Sequence, residues 1–163
     1  MIPVLPIDLI KDAAKKYKLD WTVLAAMACR ESGGKYFQNR YEPQTLKYVI
    51  DVDKHARACG ITKATEQINQ MNSWGIMQTM GFKCRELGFK DAIPSLCLPH
   101  ISLDWACRVI MHKIDHQRLT VESDIIAAYN RGSVKKLDDG TYANQEHVTA
   151  VLGFLKEIRG GIK

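Results

Sequence analysis

The spacing of hydrophobic positions predicts a chain built mainly of α-helices. The clearest pattern covers residues 99–117, where apolar side chains recur every three or four positions, as one face of a helix requires. The positions are Leu103, Ala106, Cys107, Ile110, Met111 and Ile114. We therefore predict a helix over residues 99–117 and expect it to be the central buried helix of the fold.

Other segments show the same periodicity over shorter lengths. We predict further helices at residues 7–19, 21–32, 45–58, 63–71, 76–87 and 121–130, and a last helix after residue 144. Asp20 precedes the second helix and Asn144 the last one, and both residue types favour the N-cap position. The positions expected to face inward in the last helix are Val148, Val151, Leu152, Leu155 and Ile158.

The remaining segments predict connections. Residues 39–43 are expected to form a loop, and residues 135–142 contain Asp138-Asp139-Gly140, a turn signal that allows one short hairpin. Apolar content of 46% and charged content of 25% are typical of a soluble globular protein. Since no repeat, low-complexity tract or linker interrupts the pattern, we predict one all-α domain over residues 1–163.

The net charge of the chain indicates which kinds of binding partner to expect. A net charge of +5 suits an anionic polymer. The basic residues are spread along the chain without a nucleic-acid-binding signature, so we do not expect a nucleic-acid partner. No apolar run is long enough to cross a membrane. The first residues lack a basic region followed by a long apolar region, so no signal peptide is expected.

The cysteines and histidines favour neither a disulfide framework nor a metal site. The five cysteines form no Cys-x-x-Cys pair, and free, mostly buried thiols are expected, although a disulfide formed after export stays open. Cys29 lies two positions before Glu31, so it should face the core on the opposite side of the helix. His112 and His116 have ligand spacing, but no third ligand is evident. We expect neither a metal nor a cofactor.

Glu31 is the strongest candidate for chemistry. It stands at the end of an apolar helical stretch and is followed by Ser32-Gly33-Gly34. The unpaired carbonyls of a last helical turn disfavour an ionised carboxyl. A carboxyl that keeps its proton near neutral pH can act as a general acid. The alternative is a solvated glutamate that precedes a glycine C-cap.

Two further segments change this interpretation. With Glu31-Ser32-Gly33-Gly34, the segments Ser73-Trp74-Gly75-Ile76-Met77-Gln78 and Ala128-Tyr129-Asn130-Arg131-Gly132 resemble, in order and spacing, the motifs of the soluble lytic transglycosylase family. That family is related to goose-type lysozymes. Arg40-Tyr41-Glu42-Pro43 is similar to a segment common in its bacteriophage branch. The resemblance covers about residues 21–155 and implies a lysozyme-like helical fold.

The resemblance also implies a reaction. The family cleaves the β-1,4 bond between N-acetylmuramic acid and N-acetylglucosamine in peptidoglycan. By analogy, Glu31 protonates the leaving oxygen and then takes a proton from the C6 hydroxyl, which attacks C1 to form a 1,6-anhydro sugar. The substrate's N-acetyl group can support the positive charge, so a second carboxylate is not required. A hydrolytic muramidase and a non-enzymatic wall-binding or virion structural protein stay open.

The same resemblance assigns roles to other residues. It implies that the Tyr129 hydroxyl lies near Glu31 or the N-acetyl group, although a tyrosine is also a common core residue with one polar handle. Trp74 could stack on a sugar face, and Asn130 should fix the turn. The implied substrate-binding residues are Ser73, Gly75, Ile76, Met77, Gln78, Asn130 and His147, with Ile76 and Met77 as an apolar floor.

Glu42 is the obvious second carboxylate. An inverting enzyme that uses water would need one across the cleft. The alternative is that Glu42 pairs with Arg40 or caps the next helix. Asp51 and Asp53 are weaker candidates for the same role and are expected to be solvated.

The chain departs from the family pattern near the start of the last helix. Family members often carry a Tyr-Val pair there, and this chain has His147-Val148. His147 can reach the cleft to bond a sugar or Tyr129, or it can be a surface histidine. In the cleft it could add a pH dependence near neutrality.

Together these features predict a monomeric wall-degrading enzyme of the phage endolysin or virion-associated type, with peptidoglycan strands as its partner. It would be made in the host cytoplasm without a signal peptide. It would reach the periplasmic peptidoglycan by holin-type release or as part of a virion. No separate wall-binding domain and no membrane association are expected.

Overall fold

The computed structural model describes residues 2–161 and is mainly helical, as predicted. Helices, including two short 3₁₀ helices, hold 64% of the described residues. Within the described residues, no helix is both long enough and apolar enough to span a bilayer. The α-helices are α1 Ile7–Tyr17, α2 Trp21–Ser32, α3 Val52–Cys59, α4 Lys63–Met71, α5 Gly81–Glu86, α6 Pro99–Gln117, α7 Glu122–Arg131 and α8 Gln145–Gly161.

A small antiparallel sheet lies beside these helices. Its strands are β1 Asn39–Tyr41, β2 Asn72–Trp74 and β3 Thr79–Met80, in the order β1-β2-β3. Ser73 in the middle strand faces Arg40 on one side and Met80 on the other. The sheet therefore brings the residues just after α4 next to those that follow α2.

Helix α2 is the central helix of the main core. All residues from Leu24 to Cys29 are buried, and α1, α6, α7 and α8 contribute to the same apolar cluster. The expectation that α6 would be central is wrong, because α6 buries one face only while α2 is enclosed on nearly all sides. The helix that carries Glu31 in its last turn is thus held rigidly by its surroundings.

A second, smaller core lies around α5. It consists of Trp74, Cys84, Phe89, Ile93 and Leu96. Next to it, Arg85 donates two hydrogen bonds to the Glu66 carboxylate, at 2.8 and 3.0 Å, and both side chains are fully buried. Arg85 also donates to the carbonyl oxygens of Phe89 and Asp91, both at 2.8 Å. The sequence analysis missed this ion pair.

Three predicted segments need correction. The helix expected at residues 45–58 is broken into a 3₁₀ helix, Pro43–Tyr48, and α3. The buried Gln70 side chain causes the break, because it bonds both the N–H and the C=O of Ile50, at 2.9 and 2.8 Å. The helix expected from residue 76 begins only at Gly81, and residues 39–41 form a strand rather than a loop.

Some of the predicted helix caps, turns and inward-facing positions are present in the structure and others are not. Asp20 caps α2 as predicted, by accepting from Thr22 N–H at 2.8 Å, and Lys136 pairs with Tyr142 across the predicted turn. Asn144 does not cap α8, because its amide group donates to other residues and its Oδ1 accepts no hydrogen bond. The prediction that Leu152 faces inward is also wrong, since this side chain is exposed.

The described cysteines agree with the expectation of free, mostly buried thiols. Cys29, Cys84 and Cys107 are buried, and Cys59 and Cys97 are half-buried, each without a disulfide. Cys29 packs in the main core, as its place on the helix predicted.

Candidate active site

Glu31 occupies the last turn of α2, and its side chain is only 11% exposed. Gly33, with φ of +62°, ends the helix and donates to the Cys29 carbonyl at 3.1 Å. Burial raises the pKa of Glu31 to about 7, although the nearby cations Arg40 and Arg30 lower it. A carboxyl with this pKa exists in both protonation states near neutral pH, as a group that acts first as acid and then as base requires. The main cause is burial rather than the helix terminus invoked from the sequence.

The turn between β2 and β3 has a demanding backbone. Gly75 has φ of +72°, and a Cβ atom there would lie 2.0 Å from the Leu96 carbonyl oxygen. Gln78 has φ of +48°, and its amide nitrogen donates to the carbonyls of Gly75 at 2.9 Å and Gln38 at 3.0 Å. Ser73 Oγ donates to Gln78 Oε1 at 2.9 Å. Ser73 and Gln78 are both buried, so they shape the turn through bonds to each other.

Ile76 and Met77 lie inside this turn with side chains that are fully buried in the main core. Their side chains have no exposed surface, so they do not provide the apolar floor of the cleft that the resemblance implied. Their backbone carbonyls instead accept hydrogen bonds from Ser32 and Tyr129. Ser32 Oγ donates to the Ile76 oxygen at 2.8 Å, which joins the end of α2 to the turn. Trp74 is also buried, and its indole N–H donates to the Asn69 carbonyl oxygen. The suggestion that Trp74 stacks on a sugar face is therefore wrong.

Tyr129 reaches the same turn from α7. Its hydroxyl donates to the Met77 carbonyl oxygen at 2.8 Å and lies 3.0 Å from Thr79 Oγ1. Burial raises the pKa of Tyr129 well above its usual value, and the negative charge of Glu31 raises it further. The hydroxyl therefore stays protonated and neutral, and Tyr129 is close enough to Glu31 for the carboxylate charge to influence its pKa.

His147 faces Glu31 from the first turn of α8. Its Nε2 lies 3.6 Å from Glu31 Oε1, and its side chain is 10% exposed. Burial lowers the pKa of His147 to about 4, and Arg30 lowers it further. The imidazole is therefore neutral at neutral pH and does not form an ion pair with Glu31. The alternative of a surface histidine is wrong, and with a pKa of about 4 the imidazole does not itself supply the pH dependence near neutrality that the sequence allowed.

Both carboxylate oxygens of Glu42 accept hydrogen bonds from neighbouring side chains. The Arg40 guanidinium donates to one of its carboxylate oxygens, and Gln44 Nε2 donates to the other at 2.5 Å. This is the pairing with Arg40 that the sequence left open, and the Glu42 side chain makes no helix-capping bond. The exposed Asp51 and Asp53 pair with Lys54 and Lys63.

Asn130 lies at the surface, near the end of α7. Its Oδ1 accepts a hydrogen bond from Asn144 Nδ2 at 2.9 Å, and Asn144 also donates to the Ala127 carbonyl at 3.2 Å. The pair holds the end of α7 against the start of α8. This agrees with the expectation that Asn130 orients the loop, and it supports the position of His147 indirectly.

Two contributors were missed by the sequence analysis. Thr79 supplies the second contact of the Tyr129 hydroxyl, and Arg40 acts electrostatically on Glu31 while it binds Glu42. Thr79 directly follows the central motif, which was its only signal. Arg40 belongs to the segment Arg40-Tyr41-Glu42-Pro43, where it was considered only as a partner of Glu42.

Comparison with known proteins gives one match. The family model described as Transglycosylase SLT domain matches residues 8–150, which include Glu31, the turn at residues 73–78, Tyr129 and His147. No curated protein and no solved structure matches the chain.

Proposed function

The chain belongs to the SLT transglycosylase family, and we propose that it cleaves the β-1,4 bond between N-acetylmuramic acid and N-acetylglucosamine to leave a 1,6-anhydro end. Enzymes of this family are lytic transglycosylases that act on peptidoglycan, so the chain is an enzyme of that class. The observation that carries the finer proposal is the Glu31 carboxyl, which is buried and has a pKa of about 7.

In the proposed reaction, protonated Glu31 donates its proton to the glycosidic oxygen, and the bond from that oxygen to C1 of the muramic acid breaks. The substrate's N-acetyl group supports the positive charge at C1. The Glu31 carboxylate then removes the proton of the C6 hydroxyl while the oxygen of that hydroxyl forms a bond to C1. Glu31 ends the cycle protonated, and no water is consumed.

The state of Glu42 supports this route over inverting hydrolysis. An inverting enzyme needs a second carboxylate that activates water. Both carboxylate oxygens of Glu42 already accept hydrogen bonds, from Arg40 and from Gln44. A hydrolytic muramidase is the second candidate, and in it Glu42 would have to activate water while Arg40 and Gln44 also bind its two oxygens.

We also propose a biological role in bacterial lysis. The net charge of +5 favours contact with an anionic cell wall. The segment Arg40-Tyr41-Glu42-Pro43 favours the bacteriophage branch, in which the enzyme would reach the periplasmic wall by holin-type release or within a virion. Expression in a bacterial cytoplasm with and without a holin tests this role, and lysis only with the holin is expected. Lysis without the holin would contradict dependence on holin-type release.

The enzymatic proposal is tested by the turbidity of purified peptidoglycan. The wild-type protein should clear the suspension, and Glu31→Gln should lose nearly all clearing while it still sediments with the wall. Clearing by Glu31→Gln at the wild-type rate would overturn the assigned role of Glu31. Wall binding without clearing by the wild-type protein would favour a non-enzymatic wall-binding protein.

A further inference from the structure

The imidazole of His147 has an unused nitrogen beside the catalytic carboxyl. Nε2 is buried and makes no hydrogen bond within the described residues, and Glu31 Oε1 is 3.6 Å away. A buried polar atom without a partner is unfavourable, so it usually has one. The distance is slightly longer than a hydrogen bond, and contacts in ligand-free active sites often tighten when substrate binds.

We propose that His147 is a positioning residue that reverses its hydrogen-bond role as Glu31 changes protonation state. Nε2 accepts a hydrogen bond from the protonated carboxyl, and Nε2–H donates one to the carboxylate after its proton has left. This inference rests on the proposed acid and base roles of Glu31.

A neutral imidazole is suited to this exchange. It carries one N–H and one nitrogen lone pair, and its neighbours decide which nitrogen is protonated. When Glu31 titrates, its proton passes to the buried Nε2 while Nδ1 releases one proton to solvent, so the ring stays neutral. Both forms of Glu31 thus keep a partner, whereas a fixed donor would stabilise only the carboxylate.

The surrounding charges keep the imidazole neutral. Arg30, on α2, pairs with Glu146, on α8, at 3.6 Å. Arg30 disfavours a cationic His147, whereas Glu146 favours it, and burial outweighs both. On the side of Glu31, the charged neighbours are Arg40 from β1 and Arg30 from α2, and Tyr129 approaches from α7. Between about pH 4 and about pH 7 both groups are neutral, with the proton on Glu31.

The tautomer of His147 can be measured without substrate. Nitrogen NMR of ¹⁵N-histidine-labelled protein, from about pH 5 to about pH 9, distinguishes a protonated from an unprotonated Nε2. The expected result is a change of tautomer with a midpoint at about pH 7, the pKa of Glu31. In Glu31→Gln this change should be absent. A single tautomer throughout, or a ring that becomes cationic within this range, would overturn the proposal.

Kinetics supply a second test. His147→Leu removes both hydrogen-bond roles, and His147→Tyr restores a group that can donate and accept. We expect kcat to fall about ten- to a hundredfold in His147→Leu with little change in KM, and to recover largely in His147→Tyr. His116→Leu, at an exposed position of α6, is the matched control.

The outcomes distinguish a failure of the positioning role of His147 from a failure of the proposed transglycosylase function. A wild-type kcat in a folded His147→Leu would overturn the positioning role. If the wild-type protein has no activity, the proposed function fails, and the NMR titration still decides whether His147 follows Glu31. If His147→Leu does not fold, His147→Tyr and the titration carry the test.

Discussion

The hydroxyl of Tyr129 donates a hydrogen bond to the carbonyl oxygen of Met77 at 2.8 Å, which joins α7 to the turn between β2 and β3. Ser32, next to Glu31, binds the neighbouring Ile76 carbonyl of the same turn. Three segments that are far apart in the sequence therefore meet at one backbone turn. This turn sets the position of Tyr129 relative to Glu31.

Tyr129→Phe should weaken both stability and activity. The variant leaves the Met77 carbonyl without its partner, which costs about 1–3 kcal/mol in the free energy of unfolding. The rate of peptidoglycan clearing should fall at least about tenfold, because the hydroxyl beside Glu31 is lost. Urea unfolding and the clearing rate measure the two effects. Tyr41→Phe, at an exposed position, is the control, and an unchanged clearing rate in Tyr129→Phe would argue against a role in the site.

Glu31 should make stability depend on pH. Its pKa is about 7 in the folded protein and 4.5 for an ordinary glutamate. Between these values the folded protein keeps a proton that the unfolded chain loses, so the free energy of unfolding should fall as pH rises from about 4.5 to about 7. The total loss is about 3 kcal/mol, and it is complete above that range.

Glu31→Gln should remove this loss. The variant is expected to be more stable than the wild-type protein at pH values above the pKa of Glu31, and close to it in acid. Urea unfolding at a series of pH values, with Glu86→Gln as the surface control, measures the difference. A wild-type pH dependence in Glu31→Gln would mean that the carboxyl is not destabilised by burial.

Glu42→Gln should keep partial activity. The substitution breaks the charge pair with Arg40, but substrate assistance does not need a second carboxylate. We expect a clearing rate within about tenfold of the wild-type rate. A loss as deep as that of Glu31→Gln would instead indicate a two-carboxylate, water-using enzyme.

Arg85→Met should be strongly destabilising. It leaves the fully buried Glu66 carboxylate without its cation, and breaking such a pair costs about 3–5 kcal/mol. Arg108→Met is the matched control, because Arg108 pairs with Asp104 at the surface and such pairs contribute about 1 kcal/mol or less. Equal losses of unfolding free energy in the two variants would contradict a stabilising role for the buried pair.

The sequence predicts the features that local interactions determine. Helices α2 and α6 were placed correctly, since a long apolar period and the Asp20 cap are local signals. The break between Tyr48 and Val52 was not predictable in this way. It depends on Gln70, which is distant in sequence and binds the backbone of Ile50.

The sequence predicted which residues belong to the site better than it predicted how their side chains are oriented. The family resemblance implied that Glu31, Tyr129 and His147 belong to one site, and the structure places His147 against Glu31. Motifs do not indicate which way a side chain points, so Met77 was expected in the floor of the cleft, whereas its side chain is fully buried in the main core. Glu66 and Arg85 resemble ordinary solvated charges in their own helices, and only the packing of α4 against α5 pairs them.

The central claim is tested most directly by mass spectrometry of the soluble fragments released from purified peptidoglycan, with Glu31→Gln measured in parallel. We expect muramic acid ends that are lighter by one water than hydrolysed ends, because the C6 hydroxyl attacks C1 after proton transfer from Glu31. These ends should be absent with the variant. Reducing ends that carry the added water would contradict this claim and would identify the enzyme as a hydrolytic muramidase.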